Sequence, residues 1–313
     1  MTVDVLILSS IYDFSTDLIT QALEKRGVNY LRLNKENFSE YRITIIPNDV
    51  LMKVEGPAGS FKIDGSILSI FYRQPVFLRN TPGESLSLNE QLKRSQWMAF
   101  LRSLSIFKHA KWMNWPASTY LAETKAYQLM QAHKLGLNTP KTKIGNNAKE
   151  FHSFTGEVII KSLDTVLLRE GNDSLFTYST VEQPQRLQDE EIYEAPLTVQ
   201  EYIFPKTDIR ATIVGDNIFA VKITSNGKSI GEDWRVVSRD KIEYTDVQLP
   251  YEVKSACQRL VKNLGLNFGA IDLVESKGRY IFIEINPTGE WGWIVTPERR
   301  IDTCIAEWLA EST

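Results

Sequence analysis

Apolar residues in this chain fall into short runs bounded by turn residues, interleaved with longer stretches of helical period. Residues 3–8, Val-Asp-Val-Leu-Ile-Leu, read as a buried first strand. After Ser9 and Ser10, the residues Leu18, Ile19, Ala22 and Leu23 share one helical face that stops at Gly27, and a second apolar strand is expected at 30–33. That is a βαβ opening. Antiparallel-type strands are expected at 49–54, 60–63 and 67–71, separated by Gly and Asp turns, followed by a long helix over about 86–107.

Residues 117–135 carry a helical pattern closed by Gly136, with Pro140 just beyond, the signature of a glycine C-cap followed by a helix stop. Strands are then expected at 157–161, 175–178, 197–203, 209–214, 217–223, 270–274 and 280–286, with helices at 251–264 and about 303–311. No repeat, low-complexity tract or Gly/Ser linker interrupts this alternation, so tightly joined α/β lobes are expected.

Composition narrows the chemistry. The 313 residues, 42% hydrophobic and 24% charged, suit a soluble globular protein of two or three lobes. A formal charge of −3 provides no global drive toward nucleic acid or an anionic membrane, so any phosphate site has to be local. Two cysteines, Cys257 and Cys304, and three histidines are too few for a zinc cluster or a disulfide framework, which makes a reducing cytoplasm the default expectation. The first residues lack a basic segment ahead of their apolar run, and no stretch approaches the roughly 18 apolar residues of a membrane span. Cys257 sits in an amphipathic helical pattern without a paired histidine and is read as buried, not as a nucleophile.

The most informative segment is Ala270-Ile271-Asp272-Leu273-Val274, a turn, then Tyr280-Ile281-Phe282-Ile283-Glu284-Ile285-Asn286-Pro287. Strand alternation puts Glu284 and Asn286 on one face and Ile281, Ile283 and Ile285 on the other. With an odd loop such as Lys277-Gly278-Arg279, Asp272 falls opposite Glu284; with a two-residue loop it falls opposite Ile283. Two carboxylates and an amide oxygen on one face suit Mg²⁺, a hard cation that takes oxygen ligands and keeps substrate phosphates in its shell. Asp272 alone would read as an acid on a solvated hairpin. Glu284, flanked by isoleucines and followed by Asn-Pro, is what favours the cation site.

With these residues in view, the chain resembles the ATP-grasp ligases, specifically the microviridin-type (graspetide) branch that matures ribosomal peptides. Glu284-Ile285-Asn286-Pro287 resembles the metal-binding end of that superfamily, and Thr288-Gly289-Glu290-Trp291-Gly292-Trp293 its graspetide continuation. Trp115-Pro116 through Lys125 and Gly136-Leu137-Asn138-Thr139-Pro140 resemble the entry to the ATP-binding lobes. Gln200-Glu201-Tyr202-Ile203, Asp208-Ile209-Arg210 and Asp233-Trp234-Arg235 follow in the family's order, and Phe71-Tyr72-Arg73-Gln74-Pro75 is similar to a segment of its first lobe. Trp291 and Trp293 by themselves read as core or interface aromatics.

The resemblance implies an ATP-grasp fold with an N-terminal pre-ATP-grasp lobe over 1–115, a central lobe over 116–193 and a C-terminal lobe over 194–313. It implies ATP and Mg²⁺ as cofactors: Lys125 and Lys161 on the phosphates, the hinge Glu201, Tyr202 and Ile203 on adenine through backbone groups, and Asp272, Glu284 and Asn286 on the metal. Arg210, oriented by Asp208, is the implied handler of the acceptor carboxylate, with Arg235 a second candidate; a plain ion pair is the alternative for the Asp208–Arg210 couple. The loop 162–169 lacks the glycines many ATP-grasp lids carry. The implied partner is a ribosomal precursor peptide with leader and core, whose Asp or Glu side chains are joined to Thr or Ser hydroxyls or Lys amines. Neither nucleic acid nor membrane is expected as a partner, and a homodimer is compatible. The other functions weighed are an ATP-grasp ligase joining amino acids or small molecules, or extending a protein terminus, and a nucleotide-binding regulator without catalysis.

Overall fold

The computed structural model of the protein describes residues 1–73, 86–163, 167–170, 173–176, 179–188, 194–231, 234 and 237–311. The opening βαβ pattern forms a parallel four-stranded sheet in the order Tyr30–Asn34, Val5–Ser9, Ser69–Tyr72, Lys111–Met113. The third of these corrects the expectation for 67–71: the run is buried on both faces, as a central parallel strand requires, and does not join the antiparallel group. Helix Phe14–Glu24, N-capped by the Asp13 side chain on Thr16 N, buries Ile19, Ala22 and Leu23, the face the period marked out. Arg42–Ile46, Leu51–Gly56 and Gly59–Ile63 form a separate antiparallel sheet. Alternation along the first strand divides the lobe: Leu6 and Leu8 pack with Met52, Val54, Leu101 and Phe107, whereas Val5 and Ile7 face Ile19 and Leu23.

The helical pattern at 117–135 resolves into two helices, Pro116–Ala122 and Lys125–Lys134, so that Lys125 begins a helix. The second ends as expected: Gly136 adopts φ +87°, its N–H donates to His133 O, and Leu137 N–H reaches back to Ala132 O.

The central sheet runs Thr180–Glu182, Val158–Lys161, Leu197–Glu201, Thr142–Gly145, all antiparallel. Leu197–Glu201 therefore pairs with the central lobe, beyond the expected 193/194 division. Its partners need an inner strand with apolar residues to fill their core, and Val199 supplies this beside Phe151, Phe154 and Val158. The C-terminal sheet runs Lys228–Ser229, Asn217–Ser225, Thr207–Val214, Phe268–Ser276, Arg279–Asn286, with Ile242–Asp246 also paired to Asn217–Ser225. Helix Tyr251–Asn263 covers one face of it with Ala256, Cys257, Leu260 and Val261.

Helix Ile301–Ala310 packs back on Phe14–Glu24 at the N-terminal lobe, where Ile301, Ile305, Ala306 and Leu309 join Val5, Ile7 and Leu23 in one core with Val214, Phe268 and Ala270 of the C-terminal sheet. Asn114 locks the same seam. Buried, it accepts from the N–H groups of Asn267 and Phe268 and donates to the carbonyls of Phe268 and Pro287, using its full hydrogen-bonding capacity across lobes.

Candidate active site

Between the central and C-terminal sheets lies a cleft whose walls contain Lys125, Lys161, Glu201, Tyr202, Ile203, Asp208, Arg210, Asp272, Glu284 and Asn286. Every expected site residue inside the described regions is therefore in one cavity. Arg235 lies outside the described residues, as do Asp233 and residues 164–166 of the loop 162–169.

The floor is built by strand register. Arg210 pairs across the ladder with Asp272, Asp272 with Glu284, and Ala270 with Asn286. The hairpin turn has two residues, Lys277 (φ 52°) and Gly278 (φ 77°), a geometry that matches the twist of the flanking strands. By simple counting that turn would set Asp272 opposite Ile283. A β-bulge between Asp272 and Leu273 shifts the register by one and brings Glu284 opposite Asp272 instead. The bulge also corrects the face of Ile283: it lines the cleft beside Glu284 and Asn286, while Phe282 and Ile285 fill the core beneath. Ile281 is buried beside Asn138 and is outside that core.

The hairpin's outer strand is an edge, and its backbone groups are covered. Gln128, on the helix begun by Lys125, donates to Ile285 O at 2.8 Å and accepts from Ile285 N at 3.1 Å. Phe282 N donates to Asn138 O at 2.8 Å. The helix that carries Lys125 is thereby fixed to the strand that carries Glu284, and Lys125 Nζ lies 2.8 Å from Glu284 Oε2.

Arg210 is 7% exposed, with Nε 2.9 Å from Asp272 Oδ1. The contact lies off the N–H axis, so it is a close ion pair without an aligned Nε hydrogen bond. Arg210 Cζ also sits 5.8 Å from the centroid of Trp293. This corrects the expected Asp208–Arg210 couple. Asp208 instead receives Lys206 Nζ at 2.7 Å and 2.5 Å on its two oxygens. Lys206 was the missed residue, and the alternation that put Asp208 and Arg210 on one face extends to it.

At the hinge, Glu201 N–H donates to Lys141 O and Tyr202 N–H to Glu157 O, which commits these two donors to neighbouring segments. Tyr202 Oη donates to Gly231 O at 2.8 Å, and its ring stacks on Phe204 at 5.9 Å. Trp291 is fully buried in the core shared between lobes, as its aromatic reading expected, whereas Trp293 is half-buried against Arg210, Trp234 and Tyr244. Cys257 is buried away from the cleft, and burial pushes its thiol up to about 12, which leaves it protonated and unreactive at neutral pH.

Asp272, Glu284 and Asn286 present oxygen donors only, two of them anionic, from adjacent strands. That set fits a hard divalent cation. No three His, Cys, Asp or Glu side chains gather into a metal cluster among the described residues.

No protein-family model and no curated protein matches the sequence, but solved structures do. The RiPP-associated ATP-grasp ligase of Chryseobacterium gregarium, determined with ADP and a leader and core peptide, superposes with TM-score 0.80 at 24% identity over 97% of this chain and 96% of that one. The macrocyclase MdnC of Microcystis aeruginosa MRC, bound with precursor peptide MdnA, gives TM-score 0.80 at 26% identity over 97% and 98%. MdnB from the same source gives 0.77 at 24% over 98% and 99%. With near-complete coverage on both sides, this chain has the ATP-grasp fold and superposes on RiPP-associated ATP-grasp ligases.

Proposed function

We propose that the protein is an ATP-dependent carboxylate ligase that cross-links side chains of a ribosomal precursor peptide. The observation that carries this reading is the convergence, in one cleft, of three lysines, a hinge, an all-oxygen face and a buried arginine, in a fold that matches peptide-bound MdnC over 97% of this chain. Adenine would be read at the hinge by the Glu201 carbonyl and the Ile203 N–H, since the intervening N–H groups are committed. Lys125 and Lys161 would hold phosphates. Asp272, Glu284 and Asn286 would hold Mg²⁺, which when bound supplies charge neutralisation at the phosphate oxygens.

A substrate carboxylate attacks the γ-phosphorus, the β,γ-bridging bond breaks, and ADP leaves with that electron pair. The acyl phosphate is then attacked by a hydroxyl or amine of the same peptide, which loses a proton as phosphate departs, giving an ester or amide. Arg210, buried beside the metal face, would orient the acyl group bidentately. Asp208 with Lys206 would shape the cleft on the same strand face as Arg210. Arg235 remains the second candidate for the acceptor. We propose an intracellular setting, where ATP is available, and leave the chain able to act as a monomer or a homodimer.

The test is incubation of the protein with ATP, Mg²⁺ and the peptide encoded by a short neighbouring reading frame rich in Thr, Ser or Lys with Asp and Glu. The expected result is loss of one water per cross-link with stoichiometric ADP and phosphate. AMP and pyrophosphate, or phosphate release dependent on a free amino acid and indifferent to peptide, would overturn it.

A further inference from the structure

Ahead of the acceptor arginine, the chain from Thr288 to Trp293 is held from outside its own lobe. Arg73 follows the strand Ser69–Tyr72 of the N-terminal sheet, and its side chain is 9% exposed. Nε donates to Asp13 Oδ2 at 2.9 Å, Nη1 to Thr288 O at 2.8 Å, and Nη2 approaches Glu290 Oε2 at 3.3 Å. Glu290 in turn turns its other oxygen inward, accepting from Trp291 N at 3.0 Å, from Gly292 N at 3.1 Å and from Ser15 Oγ. Those two backbone donors open the 3₁₀ turn Gly292–Ile294, so the carboxylate caps that turn. The fit is close: a Cβ at Gly292 would come within 2.6 Å of Phe14 Cε2, and one at Gly289 within 2.6 Å of Ala270 Cβ. The middle residue of the capped turn is Trp293, whose ring faces the Arg210 guanidinium and is flanked by Tyr244 at 4.6 Å and Trp234 at 5.6 Å.

We infer that Arg73 and Glu290 are positioning residues for Arg210: they fix the turn that carries Trp293, and Trp293 with Asp272 fixes the guanidinium. A cross-lobe ion pair at a rim would be worth little by itself. Here Arg73 is buried although Glu290 is 40% exposed, and the carboxylate is spent on two backbone donors, so its loss releases the turn and not only a charge. Arg210 then keeps Asp272 on one side but loses the wall that holds its plane. The inference rests on the reading of Arg210 above only for its catalytic consequence. The positioning itself is tested without substrate.

Arginine-labelled protein would be followed by NMR of its Nε–H groups, with Arg210→Lys identifying the Arg210 signal by its absence. In the unaltered protein the Arg210 Nε–H, buried beside Asp272, should exchange slowly with water. Glu290→Gln, which keeps a capping carbonyl but removes the charge, and Trp293→Leu should each speed that exchange about tenfold or more. Arg73→Met should do the same and Arg73→Lys should recover part of the protection. Should Arg73→Met fail to fold, the Glu290 and Trp293 variants carry the test. Leu260→Ala, in the core under the opposite face of the sheet, is a control for general loosening and should leave the signal unchanged. Equal acceleration in Leu260→Ala, or none in Glu290→Gln and Trp293→Leu, overturns the relay. If the relay holds but Arg210→Ala leaves peptide cross-linking intact, it is the assignment of Arg210 that fails.

Discussion

The side chains at the cleft show how much a charge depends on its immediate partner. Arg210 has one carboxylate beside it and an aromatic face over it, a setting that presents a planar fork toward the cavity. Arg210→Ala should bind ATP within about twofold of the parent while cross-linking falls by about 10²-fold or more, because a guanidinium facing developing negative charge is worth several kcal/mol of barrier. Parallel measurement of nucleotide affinity and peptide modification checks this, and equal losses in both would make Arg210 a nucleotide or structural residue. At Asp13, burial raises the carboxyl's pKa, but the charge of Arg73 and hydrogen bonds from Arg73, Thr16 and Ser9 outweigh it and hold the group below the usual carboxylate range. Its folded value thus lies under the unfolded one of about 3.9, so the stabilisation is complete above that pH and fades as pH falls through the folded value. Asp13→Asn keeps the N-cap and removes the charge. It should be less stable than the parent at pH 7, by urea unfolding, and the gap should close below about pH 4.

At the scale of elements, the decisive object is the hairpin Phe268–Ser276 and Arg279–Asn286 with the helix Lys125–Lys134 laid along its edge. Gln128→Leu would leave the Ile285 N–H and C=O without their side-chain partner, at a cost of about 2–3 kcal/mol, with a further loss of turnover as Lys125 and Glu284 drift apart; a denaturant series with a peptide assay would separate the two. The strands and their polar face were legible in the sequence because alternation is a local signal. The bulge was not, since it arises from how two strands settle against a core, and nothing in the isoleucine-rich run 281–285 says which isoleucine is the extra one. The same limit explains the split at Glu123 and Thr124, where helical period continues across a backbone break, and the missed edge strand Arg42–Ile46, whose half-exposed residues carry little contrast. Asp272 as the partner of Arg210 is a cross-strand fact, 62 residues away in sequence by the numbering, and alternation within one strand pointed to Asp208 instead.

Over the whole molecule, the N-terminal sheet and the C-terminal sheet each pack one face on a core of their own and share a further core between them. Helix Ile301–Ala310 supplies Ile305, Ala306 and Leu309 to the first lobe, and the Ser69 hydroxyl, in the first sheet, donates to Leu309 O at 2.7 Å. Ile305→Ala should therefore destabilise both lobes together by about 2–4 kcal/mol, and hydrogen exchange should show protection lost in strands Val5–Ser9 and Thr207–Val214 alike. Loss confined to one sheet would show that the shared packing is not cooperative. The arrangement has a consequence for the order of synthesis. Ser69 and Leu309 lie 240 residues apart, which at about 5–20 residues per second is ~10–50 s of translation. Throughout that interval the emerging first sheet has only helix Phe14–Glu24 over the apolar face of Val5, Ile7 and Phe71, with its second covering helix still unmade. A nascent chain of this design has reason to keep a chaperone on that face until the final helix arrives, and a ribosome stalled before codon 301 would release a first lobe that cannot close.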